Sequence, residues 1–224
     1  MQSVTRFATT VKIIHSPVQG FTLIELMITI ALMGLLFNLG IARYLDFNRR
    51  QSTTTIGLKL KNDLRSIQQK ALSGVKPYVA PCTTAGNQLD GYLVHLHTLE
   101  LREFTICGMV GTTVPPISDG FANNTNVIPL PLGFEYGTTV GGAFQSLSGS
   151  DNVYHVLFRV LGGGVTIHDD PSSNINVQLP LTSQLITIRS VSTPYHYYSV
   201  CVAGGGDIKD CGYASGSPPV CPCP

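Results

Sequence analysis

The sequence lacks the short signatures of the common catalytic sites. It has no GxSxG, HExxH, Walker A or Rossmann pattern, so no nucleophile stands with its base at a legible spacing. It shows no convincing internal repeats, and charged residues make up only 12% of the chain. These absences favour a non-enzymatic protein without a cofactor.

Charge is almost missing between Phe21 and Ala42, where Glu25 is the one exception. As a helix, these 22 residues span roughly 33 Å, enough to cross a bilayer. An acid inside such a span costs on the order of 2.5–3.5 kcal/mol at mid-bilayer and usually marks a specific partner. No Lys or Arg in the segment can be that partner. The simpler alternative is an ordinary signal anchor with Glu25 near the headgroups and without a role.

The first 20 residues lack the apolar core of a secretory signal, which would precede its cleavage point. They are mixed in polarity, carry Arg6 and Lys12, and end at Gly20, directly before the apolar run. We therefore expect residues 1–20 to be a leader on the cytoplasmic side.

The stretch GFTLIEL at residues 20–26 resembles the class III signal of prepilins and pseudopilins, the subunits of type IV pili and type II secretion systems. The resemblance implies cleavage after Gly20 and methylation of Phe21 by prepilin peptidase. It also implies a single-pass protein of the bacterial inner membrane, with its head outside the cytoplasm, that joins other subunits at an assembly platform and enters a periplasmic or extracellular filament. Cleavage creates an α-amine at Phe21, and that amine on a neighbouring subunit is the expected partner of Glu25.

A second half of the same helix is predicted after the membrane span. Apolar residues recur on one face at spacings of three and four: Ile56, Leu60, Leu64, Ile67 and Ala71. Gly74 and Pro77 predict an end near Ser73. The run of residues 52–57, with three threonines and a glycine, is the expected weak point.

The predicted organisation has five parts, set by these composition changes. They are a leader (1–20), an assembly half of the helix (21–42), an amphipathic half (43–73), a β-rich head (74–212) and a Pro/Cys-rich tail (213–224). Residues 59–74 and 91–96 also resemble the second half of the helix and the first head strand of minor pseudopilins of the H type.

The head is predicted to be an antiparallel sheet packed on the helix, which gives an α+β, pilin-like fold. Strands are expected at 91–98, 103–110, 153–161, 164–168, 184–191 and 196–203. Residues 111–151 hold four prolines and little periodicity, and we interpret them as a variable surface loop, at most with a short strand.

All six cysteines follow the membrane span, in a compartment expected to be oxidising, so disulfides are predicted. Fifteen complete pairings exist. We expect Cys82 to pair with Cys107, and Cys201 with Cys211, the latter like the disulfide-bounded loop of many pilins. Cys221 and Cys223 are a weak metal signal, so a disordered tail or pairing with another chain is expected for them.

The sequence gives little support for a metal site. His95 and His97 share one face of a predicted strand, and His168 precedes two aspartates, but no third ligand has a legible spacing, so no metal site is predicted.

Charge separates along the chain. Residues 43–73 carry seven basic and two acidic residues, whereas residues 74–224 carry five basic and ten acidic residues. Complementarity between neighbouring subunits and plain solvated surface are equally compatible with this pattern. The acidic head, and the single lysine in GGGDIKD at residues 204–210, argue against nucleic acid as a partner.

The sequence thus predicts a filament subunit, of the minor pilin or pseudopilin kind. The alternative is a binding module, an adhesin or a receptor for secreted substrates, whose helix only mounts the head. Its basis is the long loop and the cysteine-rich tail.

Overall fold

The computed structural model describes residues 20–78, 82–109, 126–147, 154–168 and 183–223. Its first element is the helix α1, Leu23–Ser73, and the end at Ser73 is the one predicted. The chain divides into two compact units, residues 1–45 and 46–224, so that α1 contributes to both. The leader predicted for residues 1–20 lies outside the described residues except for Gly20.

Ten strands follow α1 in the described residues. They are β1 (Asn87–His97), β2 (Glu100–Met109), β3 (Asn126–Pro129), β4 (Phe134–Val140), β5 (Ala143–Ser146), β6 (Tyr154–Arg159), β7 (Val165–His168), β8 (Ser183–Ser190), β9 (His196–Ala203) and β10 (Ile208–Ser215). A 3-10 turn, Val160–Gly162, joins β6 to β7.

The strands form two antiparallel sheets of five, where the sequence predicted one. Sheet A has the order β3-β2-β1-β6-β7, and sheet B has the order β10-β9-β8-β4-β5. The α+β, pilin-like class is confirmed. The interpretation of residues 111–151 as a loop with at most one short strand is wrong, because 126–146 hold β3, β4 and β5.

One hydrophobic core joins the second half of α1 to both sheets. The predicted stripe faces it: Leu60, Leu64, Ile67 and Ala71 are buried, and Ile56 packs at the margin. Sheet A and sheet B supply the remaining side chains of this core, among them Val94, Leu96, Phe158, Ile186, Ile188, Val200 and Val202.

The threonine run does not break α1. The hydroxyls of Thr53, Thr54 and Thr55 each donate to the carbonyl four residues earlier, at 2.9–3.0 Å, so they stay within the helical pattern. Gly57 is buried against Tyr198, and a Cβ at this position would overlap with the tyrosine ring. The glycine predicted to weaken the helix is therefore what lets the helix approach β9 closely.

Candidate processing and assembly site

The predicted cleavage point lies immediately before the helix. Gly20, Phe21 and Thr22 are not helical, and the Phe21 side chain is 77% exposed. A Cβ at Gly20 would meet no atom within 4 Å. The bond after Gly20 is therefore accessible in the described part of the chain. The assignment of Gly20 and Phe21 as the processed residues stays a prediction.

Thr22 precedes α1 as its N-cap residue. Its Oγ1 accepts a hydrogen bond from the Glu25 backbone N–H at 3.3 Å, so Thr22 and Glu25 stand at the positions of a T-x-x-E capping box. The same T-x-x-E pattern is visible in the sequence at residues 22–25. A carboxylate in the first turn also interacts favourably with the helix dipole.

Glu25 itself is exposed in the first turn of α1. The partner predicted for it, an α-amine, belongs to another subunit and arises only by cleavage. The local cap explains why an acid suits this position of a helix, but it does not explain why an acid lies at the start of an apolar segment.

The apolar segment after Glu25 is not covered by the other described residues of its own unit, residues 1–45. The large side chains that the structure describes in this segment are exposed, including Ile28, Ile30, Met33, Leu36 and Phe37. By length and composition, α1 is the one described helix that is able to cross a membrane. This surface has the properties needed to insert in lipid or to pack against like helices.

The second half of α1 binds to the head through a series of polar contacts along β10. The Lys61 ammonium lies 3.4 Å from the Asp210 carboxylate, and Arg65 donates to the Ile208 carbonyl at 3.2 Å. Gln68 donates to the Gly206 carbonyl. Helix numbers rise as strand numbers fall, so α1 and β10 run antiparallel. Neither β10 nor these contacts with α1 were predicted from the sequence.

Asp210 is the charged centre of that series. Burial alone would raise its pKa, but hydrogen bonds from Tyr198 and the Gly212 N–H, together with the Lys61 charge, lower the pKa below the ordinary aspartate value. The carboxylate therefore holds α1, β9 and β10 together most strongly in its ionised form.

A second ion pair fixes α1 to sheet A. Lys70 Nζ lies 2.7 and 2.9 Å from the two oxygens of Glu103, which is buried. Tyr92 donates to the Val75 carbonyl at 2.8 Å, just past the end of the helix. Contacts thus continue along the helix to its last turn.

The two histidines of β1, His95 and His97, differ in their surroundings. His97 is exposed, whereas His95 lies against His155 of β6, with ring centroids 4.8 Å apart. His155 is in register with His168 of β7. Neighbouring strands, rather than the alternate residues of one strand, bring these positions together.

The cysteines form three disulfides. Cys82 pairs with Cys107, in agreement with the expectation. The Cys201–Cys211 pairing is wrong: Cys201 pairs with Cys223, and Cys211 pairs with Cys221. Because β9 and β10 are hydrogen-bonded neighbours with Cys201 opposite Lys209, Cys211 lies further along the ladder, and the returning tail reaches both strands. The expectations of a disordered tail and of pairing with another chain are wrong as well.

The fold is of the α+β, pilin-like class, with an exposed apolar helix start and a folded head. The comparison with protein families agrees with that class. Residues 16–37 match the prokaryotic N-terminal methylation motif, which is the class III signal of type IV pilins and pseudopilins. Comparison with curated proteins and with solved structures gives no match.

The motif supports a pilin-like or pseudopilin-like precursor. It implies processing by prepilin peptidase and assembly with other pilins, and with the apolar helix it fits a membrane-anchored precursor. Pilin-like proteins that carry this motif are structural subunits rather than enzymes.

Proposed function

We propose that this chain is a structural subunit of a type IV pilus or type II secretion filament, of the minor pilin or H-type pseudopilin kind. The observation that carries the proposal is the methylation motif placed at the start of an uncovered apolar helix. Prepilin peptidase in the inner membrane removes residues 1–20 and methylates Phe21. The exposed half of α1 then packs against other subunits, while the head stays folded outside the cytoplasm.

In this proposal Glu25 sets the register between subunits. A buried carboxylate is costly without a partner, and the α-amine of Phe21 on the next subunit neutralises it. A subunit joining the filament is thereby favoured over one left alone in lipid.

Replacing Gly20 with leucine tests the processing step. A bulky side chain at the cut should block cleavage, so the intact mass should retain the leader and lack the added methyl group. Gly34→Leu is the matched control, because it adds the same side chain to a glycine inside the apolar segment that, like Gly20, has open space around it. Normal maturation of Gly20→Leu would refute the proposed cleavage point.

Replacing Glu25 separates its charge from its cap. Glutamine serves at the third helical position of a capping box as glutamate does, so Glu25→Gln keeps the cap and removes the charge. We expect Glu25→Gln and Glu25→Ala to be cleaved normally and to be nearly absent from sheared filaments, as measured by quantitative mass spectrometry. Incorporation of Glu25→Gln at the wild-type level would reject the role of the charge.

A second candidate function, the head as a binding module, is favoured by Leu161. This residue has a left-handed backbone (φ 55°) and is 83% exposed, beside Gly74 at the far end of the helix. A strained, exposed leucine is uncommon and suggests a contact surface. If Leu161→Asn subunits enter filaments normally but attachment or secretion is lost, the binding function holds; unchanged attachment and secretion count against it.

A further inference from the structure

Three turns of the head meet at one end and are tied together by their backbones. The Leu130 N–H, after β3, donates to the carbonyl of Leu99 in the β1–β2 turn at 2.8 Å. The Val191 N–H, after β8, donates to the Gly133 carbonyl at 2.8 Å. We call this surface, formed by residues 98–99, 130–133 and 191–195, the turn end.

The turn end presents aliphatic side chains to solvent. Leu132 is fully exposed (102%), Leu99 is 60% exposed and Val191 is 55% exposed. Turn positions are usually occupied by Gly, Pro, Asn, Asp or Ser, so one large aliphatic residue in each of three adjoining turns is unusual. Exposed apolar groups that occur together usually mark a contact surface.

The turn end lies at the point where α1 enters the head. Arg49 Nη1 donates to the Thr193 carbonyl at 3.1 Å, and Asp46 lies 3.3 Å from the ring of buried His196. Pro131 lines a groove together with Asn48. Leu161 marks the opposite end, beside Gly74, about 40 Å further along the helix at its usual rise per residue.

Basic residues accompany the apolar turns. Arg43, Arg49 and Arg50 follow the apolar span in the sequence, and Asp46 is the only acid among residues 43–62. Arg49 reaches the turn end directly, and the Arg50 guanidinium lies 5.0 Å from the ring centroid of Tyr213. Aliphatic side chains beside cations, directly after a membrane span, suit the boundary between anionic headgroups and acyl chains.

We propose that, in the membrane-anchored precursor, the turn end rests on the bilayer surface, with Leu99, Leu132 and Val191 at the boundary between headgroups and acyl chains. The inference rests on the proposed function, because it needs the apolar half of α1 to span the membrane. The covalent continuity of the span with residue 46 and the charge of the arginines identify the occupant as anionic phospholipid. Extraction into a filament then removes this contact, so the head of the waiting subunit is held at the surface until assembly.

The absence of tryptophan from the chain permits a direct test with single-tryptophan variants of the full-length protein. Leu132→Trp reports the turn end, Leu161→Trp reports the opposite end, and Leu36→Trp reports the membrane span. Each variant is reconstituted in vesicles of phosphatidylethanolamine and phosphatidylglycerol, with or without lipids brominated near the top of the acyl chain. We expect Leu132→Trp emission to shift to shorter wavelength and to be quenched, and Leu161→Trp emission to stay in the position typical of water.

The span reporter separates the two hypotheses. If Leu36→Trp is quenched by the brominated lipids but Leu132→Trp behaves like Leu161→Trp, the surface contact is refuted and the proposed function stands. If Leu36→Trp is not quenched, both fail. A blue shift of Leu132→Trp without quenching means that a second copy of the chain covers the turn end, and this result also overturns the proposal.

Charge is tested with the same reporter. In vesicles of phosphatidylcholine alone, the quenching of Leu132→Trp should weaken, and adding salt to the anionic vesicles should weaken it in the same direction. Quenching that is equally strong in both lipids would overturn the assignment of anionic phospholipid as the occupant.

Discussion

The two halves of α1 share one helical backbone and differ in where their apolar residues face. In the first half, large apolar side chains occur all around the helix and are exposed, as Ile24 and Phe37 are. In the second half they form one stripe, and Leu60 and Leu64 are buried by the head. The first pattern needs a partner from outside the chain, whereas the chain itself satisfies the second.

Two glycines, one in each half of α1, test this difference in packing. Gly57→Ala places a methyl group against the buried Tyr198 ring, and overpacking of this kind costs about 1–3 kcal/mol. Gly34→Ala meets no atom within 4 Å, so head stability should not change. Urea unfolding of the full-length chain in detergent, followed by the near-UV circular dichroism of the tyrosines, measures both.

Equal stability of the two alanine variants would contradict the close approach at Gly57. A larger loss in Gly34→Ala would mean that the first half of α1 also packs tightly within the subunit.

A smaller effect is expected where the second half of α1 meets β10. Asp210→Asn removes the charge that Lys61 faces and should cost about 1 kcal/mol at neutral pH, as for a typical hydrogen bond to a part-buried group. Because folding lowers the pKa of Asp210, its contribution is present above the ordinary aspartate pKa and is lost as the pH falls through the lower folded value.

The stability difference between wild type and Asp210→Asn should therefore hold near neutrality and shrink in acid, below about pH 4. Unfolding free energies measured across this range check the sign. A difference that grows in acid would show that folding raises the pKa instead. Lys209→Gln, one residue away on exposed surface, is the matched control and should show neither effect.

Sequence reasoning succeeded where a local pattern and the tertiary fold agree. The apolar stripe from Ile56 to Ala71 was sufficient to predict the second half of α1, because its period matches a helix. The end of α1 at Ser73 followed from Gly74 and Pro77. Strand β9 was predicted at its observed bounds, since residues 196–203 have strong strand propensity and are paired on both sides, with β8 and β10.

It failed where distant pairing decides the structure. Strands β3 and β5 have four residues each and gain order from β2 and β4, which no local pattern announces. Strand β10 begins after a glycine-rich turn and contains Lys209, Asp210 and Gly212, all poor strand formers in isolation. Its hydrogen bonds to β9 and its contacts with α1 override these propensities.

Two nested disulfides near the carboxyl terminus hold the tail of the chain against sheet B. Cys211–Cys221 lies within the loop that Cys201–Cys223 closes, so both bonds depend on a three-residue stretch, Cys221–Cys223. A chain that ended at Val220 would leave Cys201 and Cys211 without the partners that they have here. Loss of the residues after Val220 would therefore open both disulfides at once and release the tail from β9 and β10.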